Sequence, residues 1–188
     1  MAEHRRMWRV WQRFMDPERF VFIDETGAAT NMVRRYGWAP CSERLVTVAP
    51  YGHWRTTTFV AGLRSAGLVA PLVLDGPMNG PAFLAYVEQF LAPTLRRCDV
   101  VVVDNLSAHK VAGVAKAIRA VGASVLYLPP YSPDLNPIEQ AFSKLKALLR
   151  AAAARTKETL WTTIGQLLDR FSPDECRNYL ANSGYEFT

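Results

Sequence analysis

The chain has 188 residues, 49% of them hydrophobic, and 22 Lys and Arg against 17 Asp and Glu give a formal net charge of +5. That length suits one domain with a sizeable core, no stretch reaches the roughly 18 apolar residues of a membrane-spanning helix, and the positive surplus favours a polyanionic partner. Cys41, Cys98 and Cys176 are odd in number and far apart, which argues against a disulfide framework or a cysteine metal site and for a reducing cytosol; the Arg-rich start, without an apolar core, does not read as a secretory leader.

Arg5, Arg6, Arg9 and Arg13 crowd the amino end, where Trp8, Trp11 and Met15 recur at spacings of three and four, as on one amphipathic helical face. Residues 1–19 are therefore expected to form a linker and helix packed on the domain, and 20–188 the main domain. Strands are predicted at 20–24, 45–49, 56–63 and 68–74, a meander with turn residues around Gly37, Pro40, Pro50 and Gly52, broken by Asp75-Gly76-Pro77. A helix starts at Asn79 or Gly80 with Pro81 in its first turn, and Phe83, Tyr86, Val87, Phe90 and Leu91 follow at helical spacing as core contacts. A strand at 100–104, a helix near 108–120, a strand at 124–128 and a helix from Pro137 then alternate as parallel strands joined by crossovers do. Helical patterns at 158–171 and 173–181 complete the chain.

Three acids stand at the ends of these elements. Asp24 closes the apolar run 20–23, Asp104 closes 100–103, and Glu139 opens a helix behind a proline-rich approach. A carboxylate at a sheet's rim can hold Mg²⁺ while the apolar residues behind it anchor the backbone, so two such ions and phosphodiester chemistry are the natural use. Glu139 has a competing reading: Asn136 suits an N-cap and Pro137 the first helical position, which makes Glu139 the third residue of a capping box. Glu25 adjoins Asp24, but strand neighbours point to opposite faces, so Glu25 is expected outside the site. With Ser107 as a helix cap, His109 falls in the first turn near the sheet rim. Asp75 and Asp134 read as turn residues. On the helix from Pro137, Ile138, Phe142, Leu145 and Leu149 form an apolar stripe, while Glu139, Ser143, Lys146 and Arg150 share a neighbouring face suited to holding phosphates. Arg34 and Arg35 add further positive charge after the first acid, as does Lys144 after the last.

The segments Phe22-Ile23-Asp24-Glu25-Thr26, Val103-Asp104-Asn105-Leu106-Ser107-Ala108-His109 and Leu128-Pro129-Pro130-Tyr131-Ser132-Pro133-Asp134-Leu135-Asn136-Pro137-Ile138-Glu139 resemble the catalytic domain of mariner-superfamily DDE transposases, in their bacterial insertion-sequence branch. The 34 residues between positions 104 and 139 are similar to that branch as well. The resemblance runs from about Phe20 to about Ala152. It implies an α/β, RNase H-like fold, a mixed five-stranded sheet flanked by helices, with the first and fourth strands side by side. It implies Asp24, Asp104 and Glu139 as ligands of two Mg²⁺, with Mn²⁺ able to substitute. Asn105 and His109 follow the second acid as in that family and are implied as DNA-binding residues or as support for the site, while Lys146 and Arg150 are expected in the same role from the helix face they share with Glu139. The implied activity is cleavage of transposon ends and strand transfer into target DNA, within a homodimeric, cytoplasmic and nucleoid-associated assembly. Such proteins carry helix-turn-helix regions upstream, and only about twenty residues precede Asp24 here, so that region is expected from another reading frame or chain. The rival readings are an inactive, domesticated DNA-binding remnant and a phosphotransferase with Asp24-Glu25-Thr26-Gly27 as a phosphate loop; the latter lacks a second glycine-rich loop.

Overall fold

Four β-branched residues in succession mark a strand covered on both faces, and Val100–Val103 is buried throughout. The computed structural model describes residues 2–34 and 36–187. Arg35, one of the basic residues noted above, lies outside them. Strands β1 (Phe20–Ala29), β2 (Thr56–Arg64), β3 (Gly67–Leu74), β4 (Val100–Val103) and β5 (Ser124–Tyr127) form one sheet in the order β3-β2-β1-β4-β5. The first three pair antiparallel, while β4 and β5 run parallel to β1. This is the mixed five-stranded sheet of the RNase H-like fold, with the first and fourth strands adjacent.

Helices cover both faces. Phe20 and Phe22 of β1 and Val100 and Val102 of β4 meet Ile138, Phe142, Leu145 and Leu149 of α4 (Ile138–Ala152), so the apolar stripe of α4 lies on the sheet as its spacing requires. The same layer takes in α5 (Lys157–Leu167) and α6 (Pro173–Asn182) through Leu160, Ile164 and Leu180. The alternate residues Val21, Ile23, Val101 and Val103 face the other way, onto Phe83, Tyr86, Val87 and Leu91 from α2 (Gly80–Tyr86) and its continuing turns, and onto Val114 and Ile118 of α3 (Val114–Ala120). Phe90 departs from its expected core role: it is 40% exposed and stacks on Tyr86 at 6.3 Å.

The amino-terminal helix α1 (Ala2–Trp11) is fixed to the domain, as its aromatic face predicts. Trp8 and Trp11 pack against the core around Phe20 and Tyr185, Trp8 Nε1 donates to Tyr185 Oη at 2.9 Å, and Tyr185 Oη donates to Leu135 O at 2.8 Å. Arg5 grips Asp134 with both guanidinium nitrogens at 2.8 and 2.7 Å, and Arg9 adds a third bond. Asp134 does lie in a turn, and in addition anchors α1.

Several expected elements differ. No strand forms at 45–49; residues 43–51 are irregular, with Val46 and Val48 81% and 89% exposed, because the sheet's β2 already occupies the antiparallel place beside β1. β1 does not stop at Asp24 but runs on to Ala29, paired with β2 along its whole second half. Asp24-Glu25-Thr26-Gly27 is thus strand, not a phosphate loop. The helix expected near 108–120 is split into a 3₁₀ turn at Ser107–Lys110 and α3, with Gly113 at φ +109° between them, a conformation that suits glycine. Ser107 makes no capping bond.

Candidate active site

The last parallel pair between β1 and β4 is Ile23 with Val103. The next residue of each strand is Asp24 and Asp104, so both carboxylates stand where β4 ends and β1 loses that neighbour. Asp24 is therefore at a rim without being at a strand end. The third acid, Glu139, is in the first turn of α4, whose apolar stripe lies over β1. Asp24, Asp104 and Glu139 all line one cleft of about 580 Å³, together with Asn105, Lys110 and the wall from Leu128 to Pro133.

The carboxylates have different surroundings. Asp24 Oδ1 accepts from the Glu25 amide at 2.8 Å, and Oδ2 accepts from Asn136 Nδ2 at 2.8 Å. Burial raises the Asp24 pKa, the Glu25 amide opposes it, and the charges of Glu139, Glu25 and Asp104 add to the rise, leaving it at about 7. For Asp104, burial also acts upward, but hydrogen bonds from His109 and the Leu106 amide outweigh it and the net shift is downward. Asp104 Oδ1 takes both of those bonds.

Asn136 does not cap α4: the helix makes no side-chain cap bond, and the Asn136 amide reaches across 112 residues to Asp24 instead. Its Oδ1 is buried with no partner. His109 is neither at a helix start in solvent nor on the cleft wall. It is fully buried behind Asp104, with Nδ1 on Asp104 Oδ1, Nε2 3.1 Å from Glu25 Oε2, and its ring 4.2 Å from that of Phe83. Burial alone would lower its pKa; the two carboxylates outweigh that and raise it to about 9.

Lys146 and Arg150 lie away from this cleft, in a groove of about 430 Å³ between α4 and the outer half of β1 with Gly27, Ala28 and Asn31. Lys144 is occupied, donating to Glu175 and to Arg170 O. Asn105 is on the cleft wall. Lys110 was not singled out by sequence reasoning, although it adjoins His109; it lines the cleft 5.6 Å from the Tyr127 ring.

A family model described as DDE superfamily endonuclease matches residues 19–161. The chain belongs to the DDE superfamily of endonucleases. No curated protein sequence matches this DDE domain. Among solved structures it is similar to the Mos1 transposase paired-end complex with left transposon end, at 17% identity and TM-score 0.59 over 99% of this chain and 62% of that one. It is also similar to the mariner Mos1 paired end complex with Mg (17%, 0.59; 99% and 61%) and to the catalytic domain of Mos1 mariner transposase (16%, 0.50; 99% and 93%). The DDE domain thus spans about six tenths of the Mos1 chains in the paired-end complexes, and at these identities the likeness is one of fold.

The residues present suit a hard divalent cation in chemistry: an all-oxygen donor set, with the Asp24 pKa raised first by burial and further by the charges of Glu139, Glu25 and Asp104, which a cation would offset. As placed, no three His, Cys, Asp or Glu side chains among the described residues form a cluster able to hold one; Asp24 Oδ2 is bonded to Asn136 and Asp104 Oδ1 to His109.

Proposed function

We propose that this DDE domain is the catalytic part of a mariner-superfamily transposase of the bacterial insertion-sequence branch, cutting transposon ends and joining the freed 3′ hydroxyl to target DNA. The observation that carries the reading is the meeting of Asp24, Asp104 and Glu139 from three separate elements in one cleft. Asp24, Asp104 and Glu139 would hold two Mg²⁺, or Mn²⁺ in their place. When bound, the cations supply activation of the attacking oxygen and stabilisation of the leaving oxygen at phosphorus. The protein's own contribution is positional. Asn136 orients Asp24, the rigid run from Pro129 to Pro137 delivers Glu139, and Lys110 and Asn105 offer donors to phosphate oxygens along the cleft. Lys146 and Arg150 extend phosphate contact along α4.

Support for DNA as the partner comes from the net charge of +5 and from the complexes of similar fold, one with a transposon end and one with Mg. Residues 1–19 serve as a linker and helix leading into the catalytic domain of 20–188. The working assembly is a cytoplasmic, nucleoid-associated homodimer whose helix-turn-helix region lies upstream or on another chain. Among the described residues no helix is long and apolar enough to cross a membrane.

The test is cleavage of supercoiled and end-containing DNA with Mg²⁺ or Mn²⁺. Asp24→Ala, Asp104→Ala and Glu139→Ala should each abolish it in folded protein. Wild-type cleavage by folded Asp104→Ala would sink the assignment, and a wild-type chain that binds DNA but never cuts would make it a remnant.

A further inference from the structure

Alternation along β1 turns Glu25 to the face opposite Asp24, where it meets a side chain that wraps around the end of β4. His109 bridges the two: Nε2 lies 3.1 Å from Glu25 Oε2, and Nδ1 is bonded to Asp104 Oδ1. The imidazole is completely buried and lies against Phe83, so it has no access to DNA, and both of its nitrogens are taken by carboxylates. The 3₁₀ turn that carries it is seated closely on α2, for a Cβ at Gly80 would come within 2.4 Å of Val111 Cγ2. Asp104 Oδ1 is thereby committed to His109 and to the Leu106 amide, while no donor among the described residues is bonded to Oδ2.

We propose that Glu25 and His109 are positioning residues for Asp104: Glu25 sets the plane of the imidazole, and the imidazole fixes the Asp104 carboxylate so that Oδ2 is left for a divalent cation. The inference rests on the reading of Asp104 as a metal-ligating carboxylate. A flexible aspartate on a loop would have to be ordered each time a cation arrives, whereas one clamped through a buried ring is ordered beforehand. Groups that orient ligands in this way are worth about 10- to 100-fold in metal affinity or activity. The Glu25 side chain does not line the cleft and its side-chain bond is to His109. Its charge also acts on Asp24, but Glu25→Ala and Glu25→Gln remove that charge alike, so the difference between the two variants reads the bond to His109.

The experiment is calorimetric titration of the full chain with Mn²⁺, without DNA, for wild type, Glu25→Ala, Glu25→Gln and Asp104→Ala, with melting temperatures taken in EDTA. Glu25→Ala should weaken Mn²⁺ binding about 10-fold or more, and Glu25→Gln, whose amide oxygen accepts the same bond from Nε2, should stay within about 3-fold of wild type. In cleavage assays the Mn²⁺ concentration needed by Glu25→Ala should rise in parallel while KM for DNA holds. Should Glu25→Ala fail to fold, Glu25→Leu fills the space without an acceptor and gives the same reading. Wild-type Mn²⁺ affinity in Glu25→Ala or Glu25→Leu overturns the proposal, as does a Glu25→Gln variant as weak as Glu25→Ala. If Asp104→Ala also binds Mn²⁺ normally, the metal-site reading itself has failed; if Asp104→Ala loses binding and Glu25→Ala does not, only the positioning role has.

Discussion

Replacing Asp24 with Asn should stabilise the cation-free protein at alkaline pH and change little near pH 4. Burial and the neighbouring carboxylates raise the Asp24 pKa from 3.8 to about 7. Between those values the folded state keeps a proton that the unfolded state has released, so stability falls as pH rises through this window and the penalty is complete above about pH 7. About three pKa units at about 1.4 kcal/mol each set a ceiling near 4 kcal/mol. Water reaches the cleft, so about half of that, ~2 kcal/mol, is the expected gain. For a domain of this size that is a rise in Tm of about 4–8 °C. The local structure can accept the change, because the Asn136 Oδ1 is buried and unpartnered, and turning that amide over offers it to the new N–H while Oδ1 of the substituted side chain keeps the Glu25 amide. Calorimetry in EDTA at about pH 4 and pH 8 measures the difference. Millimolar Mg²⁺ should then raise the Tm of the wild type and not of the variant, shrinking or reversing the order. An equal Tm difference at the two pH values, or a less stable variant at pH 8, would refute the reasoning.

Further expectations concern the two ends of the sheet and its flanks. Lys146→Ala with Arg150→Ala should weaken DNA binding for all sequences and make the log-log salt dependence shallower by about one per residue; an unchanged slope would mean that DNA does not use the α4 groove. Arg64→Ala removes the partner of Asp99 at 2.5 Å, with both side chains 5% exposed, leaving the carboxylate only the Arg96 amide, and should cost about 3–5 kcal/mol in urea unfolding, only partly recovered when Asp99 is also made apolar. Arg5→Ala breaks a half-exposed pair with Asp134 and should cost less than about 1 kcal/mol, while hydrogen exchange in the 131–134 segment quickens.

How far the sequence carried depended on whether a residue's neighbours were local. The valines of β4 and the stripe of α4 have their period written in consecutive positions, and with them came the elements that carry Asp104 and Glu139; the adjacency of the first and fourth strands came from the family resemblance and not from any local pattern. Asp24 was placed at the rim for an incomplete reason: its strand continues for five residues, and only the early end of β4 makes position 24 a boundary. Asn136 has the composition of an N-cap and the position of one, yet a carboxylate 112 residues away takes its amide; nothing local distinguishes the two uses. Glu25 was rightly turned away from Asp24 by alternation, but its link back through His109 depends on a turn that bends around the sheet's end. The strand expected at 45–49 has β-branched residues without a neighbour to pair with, and β-propensity without a partner does not make a strand.

One carbonyl, Leu135 O, gathers more than its own loop. Tyr185 near the end of the described chain bonds to it, and Trp8 near the start bonds to Tyr185. Four residues later stands Glu139. The segment that delivers the third acid is therefore clasped by the two extremities of the described chain together, and fraying at either one loosens the same buckle. Order at this carboxylate thus draws on contacts far apart in the sequence, and each of the two bonds contributes on the order of 1 kcal/mol to holding the segment that ends in Glu139.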